Sequence, residues 1–157
     1  MIQRIQSLLL LIATVCFVIA CFMPVGTFVV NDAYYVITSW VAKINILSGE
    51  TAYPTYFIGL LQIILAALSF VSIFLYKKRL LQSKLCLAGI FLNFILLILM
   101  LWVYPDTVLP KVFLQSNIEI QYSMWALLSI VPLACFYFAN KFIIKDEKKV
   151  RAADRLR

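Results

Sequence analysis

The chain has 157 residues, of which 64% are hydrophobic and only 13% charged, and its mean hydropathy is +0.99. A water-soluble domain of this size carries charge on roughly a quarter of its residues, so most of this surface is built to face something other than water. The net charge of +7 does not point to nucleic acid, because the basic residues sit in clusters beside apolar runs instead of covering a polar face.

Length suits one domain, here a single integral membrane unit over residues 1–157. Four apolar runs are long enough to cross about 30 Å of hydrocarbon as helices: approximately Gln6 to Val25, Pro54 to Tyr76, Leu81 to Trp102 and Tyr122 to Ile143. The first has a short basic start at Arg4 but no A-x-A processing site. Val18-Ile19-Ala20-Cys21 resembles a loose lipoprotein processing box, yet Phe22 to Val25 stay apolar where a lipidated cysteine normally opens a polar tether. The run is therefore read as an uncleaved span.

The segment after it, Gly26 to Tyr53, is rich in β-branched and aromatic residues. "TFVV" and "AYYVITSWV" around Asn31-Asp32 predict a short antiparallel hairpin, with Ser48-Gly49-Glu50 as a further turn and Pro54 in the first turn of the second span. Such a sheet would cap the bundle or offer an edge to a partner. The cap is the favoured reading.

Within the spans the polar residues are few and regularly spaced. Gly59, Gln62, Ala66 and Ser69 form one helical stripe, Cys86, Gly89 and Asn93 another, and Ser7, Thr14 and Cys21 recur every seven residues. Small and weakly polar stripes are what membrane helices use to approach one another. The tight inner loop Lys77 to Leu80 makes the second and third spans antiparallel neighbours, so Gln62 and Asn93 are the candidate intramembrane polar contact. A structural amide pair is favoured over a polar path for a ligand or ion. The second outer loop, Pro105 to Gln121, holds "KVFL" and "NIEIQY", the latter able to add a strand. In the fourth span Pro132 predicts a static kink, with Ser129 placed to bond locally and ease it.

The chain ends in "NKFIIKDEKKVRAADRLR". It lacks Gly and Pro, so the last helix is expected to continue, supported by pairs such as Glu147 with Arg151. Lys141 and Lys145 stop translocation. Lys77, Lys78, Arg79, Lys145, Lys148, Lys149, Arg151, Arg155 and Arg157 are candidate contacts for anionic lipid or a docking protein. The acids among them fit a helix that docks on another protein or on the basic inner loop. Twelve of the fourteen Lys and Arg fall on this side, leaving only Lys43 and Lys111 opposite. Both termini are thus expected in the cytoplasm. Tyr53, Tyr56, Trp102, Tyr104, Tyr122 and Trp125 form an aromatic belt at the outer interface.

Cys16, Cys21, Cys86 and Cys135 lie inside spans with no histidine in the chain, which argues against a disulfide framework or zinc site. No paired carboxylates, P-loop or nucleophile elbow is present, and no catalytic residue, cofactor or metal ligand is assigned. The expected fold is an all-α four-transmembrane-helix bundle with a small β-hairpin or sheet in the outer loops and a cytoplasmic C-terminal helix. The function classes in competition are a non-catalytic scaffold or accessory subunit, a small transporter or channel component, and a lipid- or quinone-binding protein. Membrane lipid, and a protein partner or self-association, are the expected partners.

Three segments, "MIQRIQS", "YKKRLLQSKLC" and "NKFIIKDEKKVRAADRLR", together resemble the family of small bacterial inner-membrane proteins called domain of unknown function 4293. The likeness covers the whole chain and departs from the family pattern at Ala152, where Ser is common. The resemblance implies four spans in a bacterial cytoplasmic membrane, and no activity.

Overall fold

A computed structural model of the chain describes residues 2–30, 33–44, 51–108 and 120–155, with side chains for residues 5–29, 35–41, 55–76, 78–103, 120–150 and 152. The fold is a bundle of apolar helices closed at one end by a small antiparallel sheet. Helix α1 spans Ile2–Phe22 and leads directly into strand β1, Pro24–Val30. The apolar run thus changes conformation at Pro24, which cannot continue a helical ladder, earlier than the expected end of the span at Val25.

Strands β2 (Ala33–Thr38), β3 (Val41–Ile44) and β4 (Thr51–Pro54) follow. Helix α2 spans Tyr56–Phe74, a 3-10 turn covers Leu75–Lys77, and α3 spans Arg79–Ile98 before continuing in wider π-helical turns over Leu99–Val108. Strand β5, Ile120–Tyr122, leads into a short helix α4, Met124–Leu127, and then into the long final helix α5, Val131–Arg155. Among the described residues, four stretches are long and apolar enough to cross a membrane: Ile5–Phe22, Tyr56–Phe74, Arg79–Val103 and Met124–Val150.

The helices form a ring in which α1 packs on α2 and α5, and α3 packs on α2 and α5. Phe17, Phe136 and Leu65 are fully buried within it, and the Phe17 and Phe136 rings lie 6.2 Å apart. Close approach depends on Gly89, where an added Cβ would lie 2.9 Å from the Phe136 ring.

The expected hairpin is present as β1 against β2, and it belongs to a five-stranded sheet in the order β4-β3-β2-β1-β5. The "NIEIQY" segment does add a strand, with Gly26, Thr27 and Phe28 of β1 facing Tyr122, Gln121 and Ile120 of β5. One sheet face is buried on the bundle through Val25, Phe28, Tyr35 and Ile37, with the Phe28 and Tyr35 rings stacked at 4.9 Å. Pro54 does not open α2 as expected. It ends β4, paired with Val41, and Thr55 stands between it and the helix. The turns expected at Asn31-Asp32 and Ser48-Gly49-Glu50, and the "KVFL" segment, lie outside the described residues.

The connection from β2 to β3 joins sheet to bundle. Ser39 Oγ donates to the Ala20 carbonyl at 3.0 Å and Trp40 Nε1 to the Cys21 carbonyl at 3.0 Å, occupying the unpaired end of α1. From the same turn, the Ser39 carbonyl accepts from Gly59 N–H and the Trp40 carbonyl from Thr55 N–H, both at 2.9 Å, which satisfies the start of α2. Gly59 is required here because an added Cβ would lie 2.8 Å from the Trp40 ring.

Candidate functional sites in the bundle core and at its charged end

Polar side chains in the helices point inward. Gln62, Ser69, Ser72 and Asn93 are fully buried, and Gln82 and Ser129 nearly so, whereas Phe57 and Met124 are 84% and 86% exposed. The two stripes expected on α2 and α3 face the interior at Gly59, Gln62, Ser69, Cys86, Gly89 and Asn93. On α1 the interior holds Gln6, Leu10, Ala13, Phe17 and Ala20; of the expected stripe Cys21 is buried, while Ser7 and Thr14 lie beside it, half-buried.

No hydrogen bond joins Gln62 to Asn93. Oriented by its neighbours, the Asn93 amide donates to the Ser129 carbonyl at 3.3 Å and accepts from the Leu133 N–H at 3.0 Å. Those two backbone groups sit at the break between α4 and α5. Pro132 has no N–H, and the chain tightens there to three-residue turns, with Ser129 N bonded to Ala126 O, Ile130 N to Leu127 O and Leu133 N to Ile130 O. Asn93 therefore patches a neighbouring helix from α3. The expectation that Ser129 itself eases the defect is corrected: its hydroxyl is buried without a partner, as are both amide atoms of Gln62.

Other polar contacts that the stripes do not announce hold the helices in register. Ser69 Oγ donates to the Leu10 carbonyl at 2.7 Å, Gln82 Nε2 to the Ser72 carbonyl at 3.0 Å, and Ser83 Oγ to Asn140 Oδ1 at 2.6 Å. A residue-type scan lacks the signal for the first two, because their acceptors are backbone carbonyls. The four cysteines are free and buried.

At the charged end, α5 runs past the bundle to Arg155, so the tail is helical as expected. It turns its acid onto the start of α3. Arg79 Nη1 lies 3.4 Å from Asp146 Oδ2, an ion pair between side chains 25% and 18% exposed. Between the start of α3 and α5 lies a cleft of about 550 Å³, lined by Lys78, Arg79, Leu80, Leu81, Glu147 and Val150. A smaller hollow of about 180 Å³ shares Arg79, Leu80 and Glu147 and reaches Ser83 and Lys148. Of the other basic candidates, Lys145 and Lys149 are exposed on α5, away from the lining, and the side chains of Lys77, Arg151, Arg155 and Arg157 lie outside the described residues.

A third hollow, about 380 Å³ and almost wholly apolar, opens sideways between α1 and α2, with Thr14, Cys21, Trp40, Ala66 and Phe70 among its walls. Cys21, the residue of the lipoprotein-like box, thus sits in the last turn of α1 beside this groove.

Inward amides, an outward apolar belt and a sheet sealing one end define a four-helix bundle of the kind whose helices can cross a membrane. The particular family is the one described as Domain of unknown function (DUF4293), which matches residues 2–156, and the chain belongs to it. Neither a curated protein nor a solved structure matches.

Proposed function

We propose that the chain is a multi-pass protein of the bacterial cytoplasmic membrane, with both termini in the cytoplasm, acting as a non-catalytic scaffold or accessory subunit of a membrane complex. The observation that carries the membrane reading is the inverted polarity of the bundle. Gln62 and Asn93 are fully buried while Phe57, Phe91 and Trp102 are 84%, 66% and 68% exposed. In water that arrangement would expose an apolar surface far beyond what a soluble monomer tolerates. In hydrocarbon it is the expected one, since an unpaired amide facing lipid costs several kcal/mol. The cluster of basic residues at one end supports a cytoplasmic placement of that end.

The scaffold reading is supported by how the polar residues are used. Asn93 is committed to the helix break, which favours a structural role over lining a path. The exposed Lys145, Lys148 and Lys149 on a helix extending beyond the bundle offer a docking surface to a protein partner. Crosslinking and co-purification from native membranes test this: a stoichiometric protein partner is expected, and a protein recovered alone would sink the scaffold. A second reading, binding of a lipid or quinone, is favoured by the apolar groove between α1 and α2. It predicts a bound apolar small molecule and no partner.

A further inference from the structure

We infer that the cleft between the start of α3 and the outgoing part of α5 seats the phosphate of one anionic phospholipid. The inference rests on the membrane reading, which puts this end of the bundle at the cytoplasmic headgroups. The cleft combines two surfaces a phospholipid needs. Lys78 and Arg79 supply cations along it, with Lys148 in the adjoining hollow, and Leu80, Leu81 and Val150 supply apolar wall toward the helices. Its volume of about 550 Å³ falls within the range of small-molecule ligand sites, more than enough for a phosphate with its glycerol.

Arg79 is only partly used by the protein. Its Nη1 is within ion-pair distance of Asp146 yet makes no hydrogen bond, although the atom is buried. A guanidinium carries five N–H donors suited to phosphate oxygens, so one side can hold Asp146 while the other takes the ligand. Glu147, the carboxylate on the opposite wall, is itself engaged in an interaction. The beginning of α3 adds to the site without founding it. Lys78 gives this helix no side-chain cap and its first turn holds no acid, so its leading backbone N–H groups add positive potential at the same place.

The test is lipid retention by the full-length protein, reconstituted in nanodiscs containing phosphatidylglycerol and phosphatidylcholine, then released and weighed by native mass spectrometry. The wild type is expected to retain one phosphatidylglycerol. The Lys78→Gln, Arg79→Gln pair should reduce that retention at least about five-fold, the value of one cation beside an anionic surface. The Lys84→Gln, Lys141→Gln pair removes equal charge from exposed positions outside the lining and should leave retention unchanged. Equal losses from both pairs would mean diffuse attraction and would overturn the site, as would equal retention of phosphatidylcholine or displacement of the lipid by inorganic phosphate.

Asp146→Asn covers the chance that loss of Arg79 disturbs folding. Removing the competing carboxylate should strengthen retention, and weakened retention in a folded Asp146→Asn protein would refute the proposal. Failure of the protein to enter nanodiscs at all would strike the membrane reading, whereas insertion without lipid preference strikes only the cleft.

Discussion

At the scale of single residues, the two buried helix amides, Gln62 and Asn93, have different roles although their burial is identical. Asn93 has two backbone partners and Gln62 has none. Leu133 N–H keeps the Ile130 carbonyl when Asn93 is removed, but the Ser129 carbonyl loses its donor, and that costs more than removing a group that was itself unpaired. Asn93→Leu should therefore lower stability by about 1–2 kcal/mol in detergent unfolding, while Gln62→Leu should be neutral or stabilising. The double variant should still insert and fold. A larger loss from Gln62→Leu than from Asn93→Leu would reverse the assignment.

Gly89 offers a second contrast. A methyl group there meets Phe136 at 2.9 Å, so Gly89→Ala should cost about 1–3 kcal/mol through overpacking. Trimming the ring, with Phe136→Leu, should recover part of that loss. Thermal unfolding of the single and double variants measures it. The stripe containing Gly89 and Asn93 was legible in the sequence because small and polar residues recur at helical spacing. Which backbone groups Asn93 would meet was not, since that depends on where a different helix breaks.

At the scale of elements, the sequence marks the helices and the first hairpin clearly, through apolar length and β-branched runs around a turn. It misplaces their junctions. Pro54 carries the same local preference at the end of an edge strand as in a first helical turn, and the choice is made by pairing with Val41. "AYYVITSWV" reads as one strand, but Thr38 Oγ1 accepts from the Val41 N–H at 3.2 Å and donates to the Val41 carbonyl at 2.7 Å, closing a turn inside it.

That turn carries Trp40 to the ends of α1 and α2, a tertiary outcome that no window of sequence contains. Trp40→Ala should release the Cys21 carbonyl and empty the space over Gly59, costing about 3–5 kcal/mol. The loss should appear as faster amide exchange at the last turn of α1 and the first of α2. Exchange changes confined to the sheet would count against this account of the joint.

At the scale of the whole molecule, orientation is the property on which the sites depend. The native cysteines are buried in the helices, so a membrane-impermeant maleimide should leave the wild type unlabelled. Lys148→Cys, on the exposed tail, should label only after permeabilisation of spheroplasts. Gln121→Cys, exposed on β5, should label without it. The opposite pattern would invert every statement about inner and outer ends.

The pairing of β1 with β5 constrains biogenesis. Gly26 faces Tyr122 across that ladder, so residues made early wait for residues made late. The four strands from β1 to β4 are consecutive and are complete once the chain has been made to Pro54. The fifth is made only after α3, and in reaching its place it draws the start of α4 against β1. The last strand of the lid and the last helix of the ring therefore come from the same closing stretch of the chain, residues 120–155. A chain stalled before Ile120 would hold an open bundle with the free edge of β1 waiting to be bound.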